Sequence, residues 1–91
     1  MYLEVISPER IFFQGNVDSV KLPGVLGEFE ILKNHTPITS LLKEGIIKIL
    51  GCKDLKEELQ QYFTINNDGF SLKINSGTVE VSDNTITILV D

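Results

Sequence analysis

Apolar and polar residues alternate one for one along Phe70–Ile74, Thr78–Val81 and Thr85–Ile88, the period of a strand with one face buried. Turn-forming residues separate these runs from others of similar length. The spacing predicts strands over Tyr2–Ile6, Arg10–Gln14, Val17–Leu22, Glu28–Leu32, Ile38–Leu42, Ile46–Leu50, Phe70–Asn75, Thr78–Val81 and Thr85–Val90. An apolar face on each strand needs a second layer to cover it. The expected fold is therefore all-β: a two-sheet antiparallel β-sandwich of about nine or ten short strands. Its core would draw on Val20, Leu22, Phe29, Ile31, Ile47, Ile49, Leu72, Ile74, Val79, Val81, Ile86 and Ile88.

One stretch departs from the alternation. Asp54 and Glu57 have capping-box spacing, and Leu55, Leu59 and Tyr62 recur at helical intervals, which allows one short helix over 54–62. The same region also allows a strand through Tyr62–Ile65 with Asn66–Gly69 as its hairpin turn. The two readings are compatible, as a helical turn leading into a strand.

The segment Leu22–Pro37 reads as a rigid contact loop. Pro23-Gly24 supplies the fixed and the permissive φ of a type II turn, and Gly27 a second position free of a Cβ. Phe29 and Ile31 then alternate with Glu28 and Glu30. The run ends at Asn34, suited to local hydrogen bonding, and at Pro37, which disfavours the α region for Thr36. Val25 and Leu26 place apolar side chains at the loop tip, where solvent is expected, a sign of a covered surface.

Composition narrows the partners. Ninety-one residues suit a single domain over 1–91. A net charge of −5 with eight thinly spread basic residues disfavours nucleic acid and anionic lipid. No apolar run approaches the roughly 20 residues of a membrane span, because Lys43, Glu44 and Lys48 interrupt the richest stretch. Glu4 stands where a signal peptide would be apolar, and the lone Cys52 fits a reducing compartment.

Catalytic groups are not found in any recognised pattern, so no catalytic, cofactor-binding or metal-binding residue is expected. His35 is the only histidine, no GxSxG elbow surrounds a serine, and one His with one Cys falls short of a zinc set. Gly24–Gly27 lacks the Lys-Ser/Thr of a phosphate loop. Asn66–Gly69 is too short for a calcium loop, and the sequon Asn34-His35-Thr36 should stay unmodified without secretion. The donor–acceptor character of His35 suits shaping its own loop, with partner contact as a second role. Glu28 by itself is an ordinary solvated strand residue.

Several motifs resemble one family, the epsilon subunit of the rotary ATP synthase, called delta in mitochondria. They are the opening Leu3-Glu4-Val5-Ile6-Ser7-Pro8-Glu9-Arg10, then Phe13-Gln14-Gly15 with Val17-Asp18-Ser19-Val20. The signature PGxxGxxGxLPNHxPL is matched by Pro23-Gly24, Gly27, Ile31-Leu32, Asn34-His35 and Pro37-Ile38. Asn75–Val81 with Asp83-Asn84 and Ile86–Leu89 is similar to the closing hairpin. Only about residues 52–69 fall outside the likeness, where the connection is longer than the family's usual one.

The resemblance implies a non-catalytic central-rotor subunit of the proton-translocating ATP synthase. Such a subunit binds the gamma subunit along one face and the membrane c-ring at one end, peripherally, on the cytoplasmic face of the bacterial inner membrane. It makes Glu28 a candidate c-ring contact; Val25 and Leu26, from their apolar tip position, and His35, from its donor–acceptor character, are the other candidate partner-binding residues. Two positions depart from the pattern: Glu30 replaces the usual glycine and Lys33 the usual proline. Glu30 requires a regular strand with an open outer face. The sequence stops at Asp91, where typical bacterial members continue into a helical hairpin, so neither a brake on ATP hydrolysis nor ATP binding is expected. The competing reading is a free-standing β-sandwich module binding a carbohydrate or peptide. Against it, the aromatic residues fall mainly within apparent strands. A small hydrolase is disfavoured by the missing nucleophile–base pair.

Overall fold

The computed structural model describes residues 1–52 and 55–91. Ten strands follow in order: β1 (Tyr2–Ile6), β2 (Ile11–Asn16), β3 (Ser19–Gly24), β4 (Gly27–Leu32), β5 (Ile38–Leu42), β6 (Gly45–Leu50), β7 (Thr64–Ile65), β8 (Gly69–Ile74), β9 (Gly77–Ser82) and β10 (Thr85–Val90). A 3-10 helix, Glu57–Tyr62, precedes β7. The strands form one curled sheet, folded into two five-stranded layers, β2-β1-β10-β9-β5 and β4-β3-β6-β8-β7. The layers join at a corner where Gly24 of β3 pairs with Leu42 of β5. All pairings are antiparallel except that of β1 with β10, which is parallel. These two strands lie at opposite ends of the chain, so no hairpin dictates their relative direction.

Alternation explains what the layers bury. Leu3, Val5, Val79, Val81, Ile86 and Ile88 point inward from the first layer, and Val20, Leu22, Ile31, Ile47 and Ile49 from the second; all are at most 2% exposed. Phe29 is the exception among the expected core residues. It packs against the core but is only partly buried, because β4 is the outermost strand of its layer. Phe13, Phe63 and Phe70 are buried as well, with Phe63 and Phe70 edge to face at 6.3 Å. Close packing of this kind resists deformation.

The stretch between β6 and β8 resolves into both expected pieces, each shorter than its sequence range. The helix is of the 3-10 type and begins at Glu57, with Lys56 at the N-cap position making no side-chain cap bond; Asp54 of the expected capping box lies outside the described residues. The strand keeps only Thr64–Ile65, and Asn66 N–H donates to Gly69 O at 2.8 Å across the expected hairpin turn. The helix lies against β2. There Arg10 stacks over the Tyr62 ring at 4.7 Å and donates to its hydroxyl, while Phe12 meets the same ring edge-on at 5.3 Å. An Arg–aromatic stack at an exposed site contributes about 0.5–1 kcal/mol.

Candidate functional site

The contact loop is a tight hairpin, and its turn lies two residues later than the sequence suggests. Pro23 and Gly24 belong to β3, Gly24 pairs with Gly27, and Val25-Leu26 form the tip. Gly24 does not take a positive φ; Gly27 does, at 130°. Glycine is still required at 24, since a Cβ there would fall 2.8 Å from Gly27 O and from the Phe29 ring. Position 24 is where β3 meets both β4 and β5, so close backbone approach, rather than the turn, dictates the residue.

The tip is apolar and uncovered. Leu26 is 101% exposed and Val25 50%. Val25 N–H donates to Leu41 O at 3.3 Å, which sets the tip beside the outer face of the first layer. A cross-strand row runs from there: Leu41 opposite Thr78, Thr78 opposite Leu89, Leu89 opposite Ile6. Leu41 and Leu89 are 61% and 52% exposed. With Val25 and Pro8 these residues line a groove of about 600 Å³. Contiguous apolar surface of this kind marks contact with another molecule more often than scattered single residues do.

Alternation alone does not single out Leu41 and Leu89. A signal is nonetheless present, because Leu41-Leu42 and Ile88-Leu89-Val90 break the period of two. In each run one apolar residue must face outward: Leu42, Ile88 and Val90 are buried, leaving Leu41 and Leu89 in solvent.

Glu28 stands two residues beyond the tip, exposed, opposite Pro23. It makes no ion pair among the described residues. His35 lies elsewhere. The six residues of β4 carry the chain about 20 Å from tip to far end at the usual strand rise. There His35 N–H closes a turn on Leu32 O at 3.1 Å, and Nδ1 lies 2.6 Å from Thr36 O. A carbonyl oxygen can only accept, so Nδ1 donates in this contact. Asn34 occupies the left-handed region at φ 64°, which Asn tolerates better than most residues. Its N–H donates to Asn84 Oδ1 at 3.4 Å, joining this turn to the β9–β10 turn. Val25, Leu26 and Glu28 thus share one end of the sandwich, and His35 belongs to the other.

Glu30 and Lys33 fit without disturbing the strand. Pairing of β4 with β3 keeps one register from Ser19–Leu32 to Gly24–Gly27, and Glu30 is exposed opposite Lys21. Lys33 occupies the turn before Asn34. Among the described residues no three His, Cys, Asp or Glu side chains gather as metal ligands, and no helix is long and apolar enough to cross a membrane.

Comparison with known proteins gives a consistent result. The family described as ATP synthase, Delta/Epsilon chain, beta-sandwich domain, matches residues 1–91. The ATP synthase epsilon chains of Nitratiruptor sp. and Leptospira borgpetersenii are 43% and 37% identical over 89 residues. Each alignment covers 98% of this chain and 59% of the relative, so the chain spans about three fifths of these curated relatives. Among solved structures, a chain of the Tetrahymena thermophila mitochondrial ATP synthase central stalk/c-ring matches with a TM-score of 0.75 at 16% identity, covering 98% of this chain and 61% of that one. A chain of the Euglena gracilis mitochondrial ATP synthase matches with a TM-score of 0.71 at 18% identity, covering 97% and 48%. At such identities the likeness is one of fold.

Proposed function

The chain belongs to the delta/epsilon-chain β-sandwich family of the ATP synthase, and from that premise we propose that it is a non-catalytic subunit of the central rotor, joining the gamma subunit to the membrane c-ring. The observation that carries this reading is the exposed apolar end of the sandwich. Val25 lines one groove with Leu41 and Leu89, and Leu26 stands fully exposed beside Val25 at the tip, a surface that water does not favour. Glu28 beside it offers a carboxylate to the basic loops of a c-ring. His35, in the turn beyond the far end of β4, shapes its own loop, with partner contact as a second role.

A coupling role asks for a stiff body with sticky surfaces, not for a reactive centre. Torque crossing the junction loads the whole sandwich, and a close-packed interior passes it on with little deformation. Residues 1–91 act as one domain in this reading. Contact with the membrane is indirect, through the assembly, on the cytoplasmic face of the bacterial inner membrane. No cofactor or metal takes part.

Co-purification tests the reading. The intact chain, extracted in mild detergent from its native membrane, is expected to bring gamma and the c-ring subunit with it. Recovery of the chain without gamma would favour a free-standing binding module instead.

A further inference from the structure

The ten strands leave few edges open. The 3-10 helix lies against β2, and β7 is two residues long. β5 is tied to the hairpin tip through the Gly24–Leu42 pair, the Val25–Leu41 bond and the Lys43 N–H to Pro23 O bond. β4 differs: along its six residues it pairs with β3 alone, and no described strand flanks its other side.

The direction of the backbone groups on β4 follows from its neighbours. Pro23 has no N–H, and its C=O accepts from Lys43 N–H at 2.9 Å, on the side away from β4. The Leu32 C=O accepts from His35 N–H, away from β3. Pro23–Glu28, Lys21–Glu30 and Ser19–Leu32 are therefore the pairs that do not exchange hydrogen bonds. The N–H and C=O groups of Glu28 and Glu30 consequently point out from the free edge.

We propose that the free edge of β4 is a strand-addition site for an extended segment of a partner protein carrying basic residues at alternate positions. An added strand would complete the four outward backbone groups of Glu28 and Glu30, and its alternate side chains would lie beside their carboxylates. Both carboxylates are exposed and form no ion pair among the described residues, so a Lys or Arg opposite them adds attraction. The intervening side chains would meet partly buried Phe29, which favours apolar residues there. Neither a bulge nor a proline interrupts β4, two of the devices by which edges are usually blocked.

The same charges reject a second copy of the chain. Antiparallel pairing of β4 with itself, kept in face, sets Glu28 opposite Glu30 or Glu30 opposite itself in the registers that pair the strand most fully. The edge thus discriminates against self-association while remaining open to a basic strand. This inference stands on the edge geometry and does not depend on the rotor reading.

The test uses the intact chain and a short capped peptide of alternating lysine and valine, with amide hydrogen exchange as the readout. Saturable slowing at the Glu28 and Glu30 amides is expected. Glu30→Gln should weaken binding by about two- to fivefold, the usual size for an exposed charge pair. Glu30→Pro removes an outward N–H without taking a bond from β3, as tolerated on edge strands, and should abolish binding. If that variant misfolds, Glu30→Gln and the exchange pattern still decide. Slowing only at other strands, or none, overturns the proposal. So does equal binding of a peptide alternating glutamate and valine, or slowing of the same amides by raising the concentration of the chain alone.

Discussion

Leu26→Ser separates docking from folding more cleanly than any other single change. The side chain is 101% exposed in the isolated chain, so removing it deletes no internal contact, and stability should stay within about 0.5 kcal/mol, as for other surface substitutions. In the proposed assembly the same side chain is covered. Burying a leucine fully gains about 1.5–3 kcal/mol, and each 1.4 kcal/mol is tenfold in affinity. The variant should therefore bind the gamma–c-ring assembly about 10- to 150-fold more weakly while its urea midpoint is unchanged. Surface-immobilised assembly in detergent, titrated with wild type and variant, gives the ratio, and urea unfolding of each chain gives the control. Equal affinities with equal midpoints would show that the tip remains in solvent, and the docking argument from exposed apolar surface would fail.

Other changes probe the remaining parts. Glu28→Lys should leave the fold intact and weaken c-ring attachment, by little for one exposed pair, about 0–1 kcal/mol, and by more if repulsion repeats around the ring; affinity at low and moderate salt measures it, and no change at either salt returns Glu28 to a solvated strand residue. Ile49→Ala, at a site with no exposure, should cost about 2–5 kcal/mol, read as a lowered urea midpoint with unchanged slope. Replacing Asn34, held at φ 64°, with alanine should cost about 1–2 kcal/mol from the left-handed backbone; a stability gain would place the turn in another conformation. Urea unfolding of residues 1–91 should follow one cooperative transition, as a single domain does; two separated transitions would contradict that assignment.

The parts of the fold that could be read in advance are those where one face is buried and the other wet. In Thr85–Ile88 and Thr78–Val81 side-chain direction is fixed by parity, so a count along the chain sorts core from surface. Val17 and Leu42 were less readable, since each is buried at a strand end or beside one, where parity no longer applies. Pro23-Gly24 is strand rather than turn for a related reason: the pair satisfies turn chemistry, but tertiary pairing with β4 and β5 draws it into the sheet. The clamp of Arg10 on Tyr62 joins residues far apart in the chain and has no local signature.

Within the candidate site, the tip residues and Glu28 were legible because turn signals bracket them. Their separation from His35 was not, since a motif continuous in sequence is laid along a strand and opened to about 20 Å. The Leu41–Leu89 row needed the pairing of β5 with β9 and of β9 with β10. Register between distant strands is set by the assembled sheet and cannot be counted from one strand.

A photo-activatable side chain at position 26 of the intact chain, irradiated in its native membrane, reports what the hairpin tip touches in the assembly. Position 26 is the most exposed apolar point of the tip, and in the proposed assembly it faces the polar loops of the ring. An adduct with the c-ring subunit is expected, identified by mass spectrometry of the linked peptides. Adducts only with subunits of the catalytic head, or none while the chain remains assembled, would contradict that placement.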